Sequence, residues 1–291
     1  MPGDLLITVA SWEDRFLLGL ERSLSNERIS DVVCLASKRY ERETAPMRER
    51  AKLGGGSSVS FMTTRLFDFE DQVECYREMA QVADDPRVAS AERVVLDVST
   101  APRTLVWMLL GFLKKRIDAV VIRYQPAAKY ASWQTNEEGD PHLVLNRSGI
   151  MYPDKPTCLV MLCGPEISRA EKMFYRFEPR KALVLRDPLA ARFGTVKRLP
   201  VEYGSAVEEL EFNNKDLGEG NLNSLEGIVA PYLDSHNVVA ASLGPKMGAI
   251  LLFKLSERQE QIALSYVISG RHNLEATEGI GEASDLELRF S

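Results

Sequence analysis

Histidine is scarce, and what is missing around it excludes a good deal. The chain has 3 histidines in 291 residues: His142, His236 and His272. None has a second histidine or a cysteine at metal-ligand spacing, so surface or structural roles fit them better than catalysis. The 4 cysteines, Cys34, Cys75, Cys158 and Cys163, form no CxxC pair. Three of them stand in strand-like apolar runs and read as small buried hydrophobes kept reduced. A GxGxxG sequence is absent after the apolar runs Leu5–Ala10 and Cys158–Cys163, which removes the ordinary dinucleotide fingerprint. The GK[ST] ending of a phosphate-binding loop and the GxSxG elbow of hydrolases are also missing.

Excess positive charge is lacking too. The net charge is −6, and a field of that sign repels nucleic acid, so nucleic acid is an unfavoured partner. The longest apolar helical run, Leu105–Leu113, is too short to span a bilayer. The first residues, MPGDLLITVASWED, lack the basic and apolar regions of a signal peptide. These features lead to the expectation of a cytoplasmic protein that does not engage a membrane. With 45% hydrophobic and 27% charged residues, the composition is that of a folded globular chain.

What is present centres on Arg93–Lys114, RVVLDVSTAPRTLVWMLLGFLK. It reads as a buried strand (94–98), a tight turn (99–103) and a helix from about Thr104. Near residue 240 the pattern returns as VVAASLGPK. Ser99 and Ser242, Pro102 and Pro245, and Arg103 and Lys246 are each 143 positions apart. Around these two stretches the same order of elements repeats. Leu5–Ala10 and Asp31–Ala36 read as strands around a helix carrying Phe16, Leu17, Leu20 and Leu24. Further strands are expected at Val59–Leu66 and Asp118–Tyr124, and a helix at Phe69–Val82. In the second half, strands are expected at Cys158–Cys163, Ala182–Leu185, Val207–Phe212 and Ile262–Ile268. Helices are expected up to Phe177, over Leu222–Leu233 and over Met247–Leu255. Lys38–Ser58, of mixed charge and ending GGGSS, reads as a solvated helix or loop followed by a turn. The stretch 125–140 reads as irregular, and the closing segment as polar.

The fold expected is α/β: two tandem Rossmann-like halves with mostly parallel sheets, related by internal duplication. The division is placed near Asp154, giving halves 1–154 and 155–291.

Parallel α/β sheets bind ligands beyond the carboxyl ends of their strands. Both marked turns fall there, as do Ser11–Arg15 and Gly164–Arg169. A helix N-terminus favours an anion. Ser11, Ser99, Thr100 and Ser242 add hydroxyls, Arg15 and Arg103 add forked donors, and Lys246 adds a point charge. Tyr124, Tyr130, Trp133 and Tyr266 offer stacking surfaces. Two acid–glycine pairs, Glu138-Gly139 and Glu278-Gly279, stand in the polar segments after Tyr124 and after Ile268, the first of them followed by a further expected strand and a linker within Pro141–Pro156. The expected ligand-binding set is therefore Ser11, Arg15, Ser99, Thr100, Arg103, Tyr130, Glu138, Ser242 and Lys246.

Asp97 and Glu13 are the acid/base candidates. Asp97 has Ala240 as its counterpart, which suggests one working site and one structural one. Against this stand plain structural roles. On this reading Ser99 is expected only to cap the helix and Arg103 to pair with Asp97 or Glu13, while proline suits the first turn of a helix and a carboxylate at a helix start answers the dipole.

Two classes of function remain. One is a binding protein that holds a nucleotide or another phosphorylated small molecule in the cleft between halves, as a sensor or a complex subunit. The other is an enzyme acting on a nucleotide or sugar phosphate through Asp97 or Glu13. A partner-docking protein without ligand is a third reading. No metal-ligand set is indicated, and the identity of any cofactor is unknown from the sequence.

Overall fold

The computed structural model describes residues 3–26, 28–54, 61–131, 135–164, 168–188 and 206–290. The chain forms two compact units. The first comprises Met1–Gln134 with His272–Ser291, and the second Thr135–Arg271.

The first unit begins with β1 (Asp4–Val9), α1 (Asp14–Asn26), β2 (Ile29–Ser37), α2 (Glu41–Gly54) and β3 (Phe61–Phe67). There follow α3 (Gln72–Ala83), the short α4 (Pro86–Ser90), β4 (Val94–Asp97), α5 (Arg103–Leu113) and β5 (Ala119–Tyr124). Its sheet has the order β3-β2-β1-β4-β5-β14, where β14 (Ser284–Arg289) comes from the end of the chain. The first five strands run parallel. β14 lies antiparallel to β5, with Leu286 opposite Ile122.

Every residue of β1 is buried. Both faces of this strand are covered, which is why it reads as an unbroken apolar run rather than an alternating one. On one face Phe16, Leu17 and Leu20 of α1 meet Leu6, Val32, Cys34 and Val95. α5 is buried almost all round, from Thr104 to Leu113, which accounts for its uniformly apolar sequence. α3 starts where Asp71 accepts hydrogen bonds from the Val73 and Glu74 amides, an ordinary aspartate N-cap.

The second unit repeats the plan. Its elements are β7 (Thr135–Leu143), β8 (Thr157–Cys163), α6 (Ser168–Phe177), β9 (Lys181–Arg186) and β10 (Val207–Glu211). They continue with α7 (Glu219–Leu233), β11 (Asn237–Leu243), α8 (Met247–Arg258) and β12 (Ala263–His272). The sheet order is β10-β9-β8-β11-β12-β7, with β8 to β12 parallel. Leu159, Met161, Val184, Val239 and Ala241 pack against Ala170 and Met173 of α6.

Both sheets thus share one order of five parallel strands, 3-2-1-4-5, the doubly wound arrangement. The sixth strand of each comes from outside its own repeat. β7, which follows the first repeat in sequence, lies beside β12, and β14, which follows the second, lies beside β5. The compact units accordingly differ from a single cut at Asp154, because residues 135–154 group with the second unit and 272–291 with the first. The cause is hydrogen bonding: Val144 N donates to Leu264 O at 2.9 Å, and Arg123 of β5 forks onto Asp285 of β14 at 2.9 and 2.5 Å.

Two further short strands, β6 (Lys129–Tyr130) and β13 (Thr277–Glu278), form an antiparallel ribbon in the first unit. The stretch read as irregular, 125–140, therefore contains β6 and the start of β7. Residues 55–60, which hold most of the GGGSS turn and the start of the expected third strand, lie outside the described residues, as do Trp133 and 165–167 with Glu166.

Candidate functional site

In the first sheet the strand order reverses at β1, with β2 on one side and β4 on the other. A doubly wound sheet opens its ligand crevice between the turns that follow such strands. Here those turns are Ala10–Glu13 and Val98–Pro102.

The turn after β4 is built on Asp97. The Ser99 amide donates to Asp97 Oδ1 at 2.8 Å, and the Ser99 hydroxyl donates to the same oxygen. The Gln125 side chain donates to Asp97 Oδ2 at 3.3 Å, and the Gln125 amide donates to Ser99 Oγ at 2.8 Å. Gly19 of α1 makes room for this, since a Cβ there would lie 2.4 Å from Gln125 Nε2. Asp97 is 3% exposed. Burial pushes its carboxyl above the usual aspartate range, against the hydrogen bonds from Ser99, the charge of Arg123 and the Gln125 bond. Thr100 donates its hydroxyl to Val9 O at 2.5 Å, pinning this turn to the end of β1. Pro102 then stands at the N-cap of α5 without a side-chain hydrogen bond to the helix, and Arg103 opens the helix.

The turn after β1 is built on Glu13. Ser11 Oγ accepts from the Glu13 amide at 3.2 Å. Glu13 Oε2 accepts from Arg15 Nε and from the Thr277 hydroxyl, each at 2.7 Å. The Gly279 amide donates to Asp14 at 3.1 Å. Gly279 has φ +64, a conformation glycine adopts without strain. These two bonds tie the β6–β13 ribbon to the start of α1. Burial works to lower the Arg15 pKa, but the charge and hydrogen bond of Glu13 outweigh it and the net shift is upward.

Tyr130 of the ribbon accepts from the Ala127 amide at 3.1 Å and shares a hydrogen bond with the Tyr124 hydroxyl. Burial, with Tyr130 beside it, drives the Tyr124 pKa upward, while the charges of Arg15 and Arg103 pull it down. Two arginines from two different turns therefore act on Tyr124, and Arg15 also acts on Tyr130. The structure brings Arg15, Arg103, Tyr124 and Tyr130 into one neighbourhood, with Ser11, Ser99 and Thr100 engaged in the turns around them.

Three residues outside the expected set stand at the same edge. Trp12, Tyr40 and His272 form an aromatic trio with ring centroids 4.9, 5.8 and 5.5 Å apart. The Arg39 guanidinium lies 5.5 Å from the Tyr40 ring centre. Trp12 directly follows Ser11, and Tyr40 follows the end of β2, a position the sequence marks only by its place after a strand. Glu278 is exposed and pairs with Lys129 at 3.0 Å. Glu138 falls in β7, with its side chain outside the described residues, and the Gly139 beside it is strand rather than turn.

The second unit arranges its equivalent turn differently. Ser242 is fully buried, and Lys246 stands at the N-cap of α8. Gly164 and Gly244 meet backbone to backbone, for a Cβ on Gly244 would lie 3.0 Å from Gly164 N. Arg169 donates to Thr135 at 2.5 Å and to Ser269. Between β7 and α6 lies an open depression of about 870 Å³, lined by Asp140, Pro141, Ser168, Glu171, Lys172 and Arg176 among others. Among the described residues no group of three or more His, Cys, Asp or Glu side chains is placed to hold a metal ion. Among those residues, too, no helix is long and apolar enough to cross a membrane.

Strand order and direction define the class: an α/β protein with two Rossmann-like sheets of mostly parallel strands. No family model matches the sequence, and no curated protein does. Among solved structures, a universal stress protein from Archaeoglobus fulgidus DSM 4304 aligns over 93% of this chain and 97% of its own. The TM-score is 0.25 and the identity 10%, values that lend no weight to any functional reading.

Proposed function

We propose that the first unit binds a nucleotide or another phosphorylated small molecule at the carboxyl end of its sheet, and that the protein acts as a sensor or as a subunit of a complex. The observation that carries this is that the charges of Arg15 and Arg103, from two different turns, both act on Tyr124, which stands beside Tyr130. Guanidinium forks suit phosphate oxygens, and a tyrosine hydroxyl supplies a further donor. The Trp12–Tyr40–His272 trio offers aromatic surface on which a base stacks.

Binding is favoured over proton transfer by how the two acids are used. Both oxygens of Asp97 accept hydrogen bonds from its own turn and from Gln125. Glu13 Oε2 already receives Arg15 and Thr277. An enzyme using either acid must first break these contacts.

Native mass spectrometry of protein taken gently from cells tests the reading, with Arg103→Ala and Arg15→Ala beside the wild type. A bound phosphorylated species in the wild type, lost or weakened about 10- to 100-fold in either variant, is expected from the loss of one charged hydrogen bond. Nucleotide and ribose-phosphate titrations with affinities indifferent to both arginines would rule out this site.

A further inference from the structure

One oxygen of Glu13 serves two partners that belong to different parts of the chain. Its Oε2 accepts from Arg15 Nε and from the Thr277 hydroxyl, each at 2.7 Å, and Arg15 Nη2 lies 2.7 Å from the same atom. The Arg15 side chain is 8% exposed and that of Glu13 15%, so salt and water do little to screen the pair. The carboxylate thus holds a candidate phosphate contact with one hand and the end of the chain with the other.

Thr277 opens a strap, residues 277–281, which leads from β13 towards β14. Beyond the Thr277 bond, the Gly279 amide donates to Asp14 at 3.1 Å and the Gly281 amide to Pro126 O at 2.8 Å, while Arg22 donates to Gly281 O at 3.2 Å. The strap pairs with β6 through Thr277 opposite Tyr130 and Glu278 opposite Lys129. No residue of 277–281 is buried. A ribbon this short has little stability of its own, and segments with few buried contacts open at low cost.

A phosphate that reaches Arg15 meets Glu13 at once. The guanidinium has donors to spare, but an oxygen bound to it lies within a few ångströms of the Glu13 carboxylate. Like charges that close disfavour one another, the more so where burial removes screening. Two anions on one buried arginine are relieved when the weaker acceptor leaves, and a phosphate brings more charge and more oxygens than a carboxylate. Glu13 cannot swing away from Arg15 and keep Thr277, because both are bound to the same oxygen.

We propose that Glu13 couples the site to the strap: a phosphate group takes Arg15 from Glu13, Glu13 releases the Thr277 hydroxyl, and residues 277–281 loosen, so that the state of the strap reports whether the site is occupied. The inference rests on the reading of Arg15 as a phosphate contact. Linkage gives it a consequence of definite sign. If phosphate loosens the strap, then loosening the strap by other means tightens phosphate binding, by the same factor.

Hydrogen exchange and titration calorimetry on the full chain test this, with inorganic pyrophosphate as the probe. In wild type saturated with pyrophosphate, the Gly279 and Gly281 amides are expected to exchange about 5-fold faster or more, while the β1 amides stay unchanged. Thr277→Val keeps the shape and removes the hydroxyl. It is expected to show the faster exchange without pyrophosphate and to bind pyrophosphate about 5-fold more tightly or better. A threonine that only held the structure together would give weaker binding when removed. Pyrophosphate bound with unchanged strap exchange, or bound no more tightly by Thr277→Val, overturns the coupling and leaves the phosphate site standing. Binding that survives Arg15→Ala, or no binding to either wild type or Thr277→Val, overturns the coupling together with the reading it rests on.

Discussion

Asp97→Ala tests how much of the first unit's β4 turn depends on a single side chain. The substitution removes the acceptor for the Ser99 amide, the Ser99 hydroxyl and the Gln125 side chain. The hydroxyl can turn, but the amide cannot move without opening the turn. The Gln125 side chain is held against Gly19. A buried donor left unmatched costs about 1–3 kcal/mol. With three donors affected and one buried carboxylate relieved, the net loss is about 3 kcal/mol. Trp12 and Trp107 belong to the first unit, and the range of the second, Thr135–Arg271, contains no tryptophan. Fluorescence-detected urea unfolding therefore reports on that unit. A loss below about 1 kcal/mol would refute the claim that Asp97 organises the turn. The pH dependence adds an independent sign. The folded-state pKa of Asp97 is raised. Below the unfolded-state value both states hold the proton and pH has no effect. Above it the unfolded chain releases the proton first, so stability falls as pH rises until folded Asp97 ionises as well. Asp97→Asn should abolish this fall, and a wild type that gains on the variant as pH rises through that window would contradict the raised value.

Other contacts give equally direct outcomes. Gly149 has φ +60, and a Cβ there would lie 2.6 Å from Ala263 N, so Gly149→Ala should cost about 2–3 kcal/mol in the second unit, read by circular dichroism. Asp285→Ala leaves the buried Arg123 guanidinium with Ser23 but without its carboxylate. Because Asp285 is 42% exposed, the expected loss is about 1–2 kcal/mol by tryptophan fluorescence. All four thiols are buried and pushed up to about 12, so an aromatic disulfide reagent near neutral pH should label none in the native state and all four in urea. Rapid labelling of native protein would show one of them to be accessible.

The legible parts of the fold are those with strong local signals. The apolar runs of β1, β2, β4, β8 and β11 are buried on both faces, and a continuous hydrophobic stretch followed by a helix is what such strands require. The repeat around Ser99 and Ser242 also follows from spacing, and the two sheets share one strand order. Less legible were β7, TNEEGDPHL, and β14, SDLELR. Both are edge strands of largely polar sequence, so their alternation is weak and their place is set by a partner far away in the chain. The site residues divide in the same way. Spacing drew attention to Ser99, Thr100, Arg103 and Arg15, but not to how Asp97, Ser99 and Gln125 share their hydrogen bonds. The Trp12–Tyr40–His272 trio joins residues up to 260 positions apart, and no local pattern marks it.

The sequence by itself determined the class: two α/β repeats, each with parallel strands and a serine–proline–basic turn at the carboxyl end of its fourth strand. Periodicity and turn chemistry act over a few residues, and a few residues suffice to read them. Tertiary structure alone decided which sheet each sixth strand completes, and hence that the units are 1–134 with 272–291, and 135–271. It also decided that one serine hydroxyl meets an aspartate while its counterpart, Ser242, is fully buried with no hydrogen-bond partner for its own among the described residues. Those outcomes rest on hydrogen bonds between distant segments, whose partners compete on nearly equal local terms until the whole chain is packed.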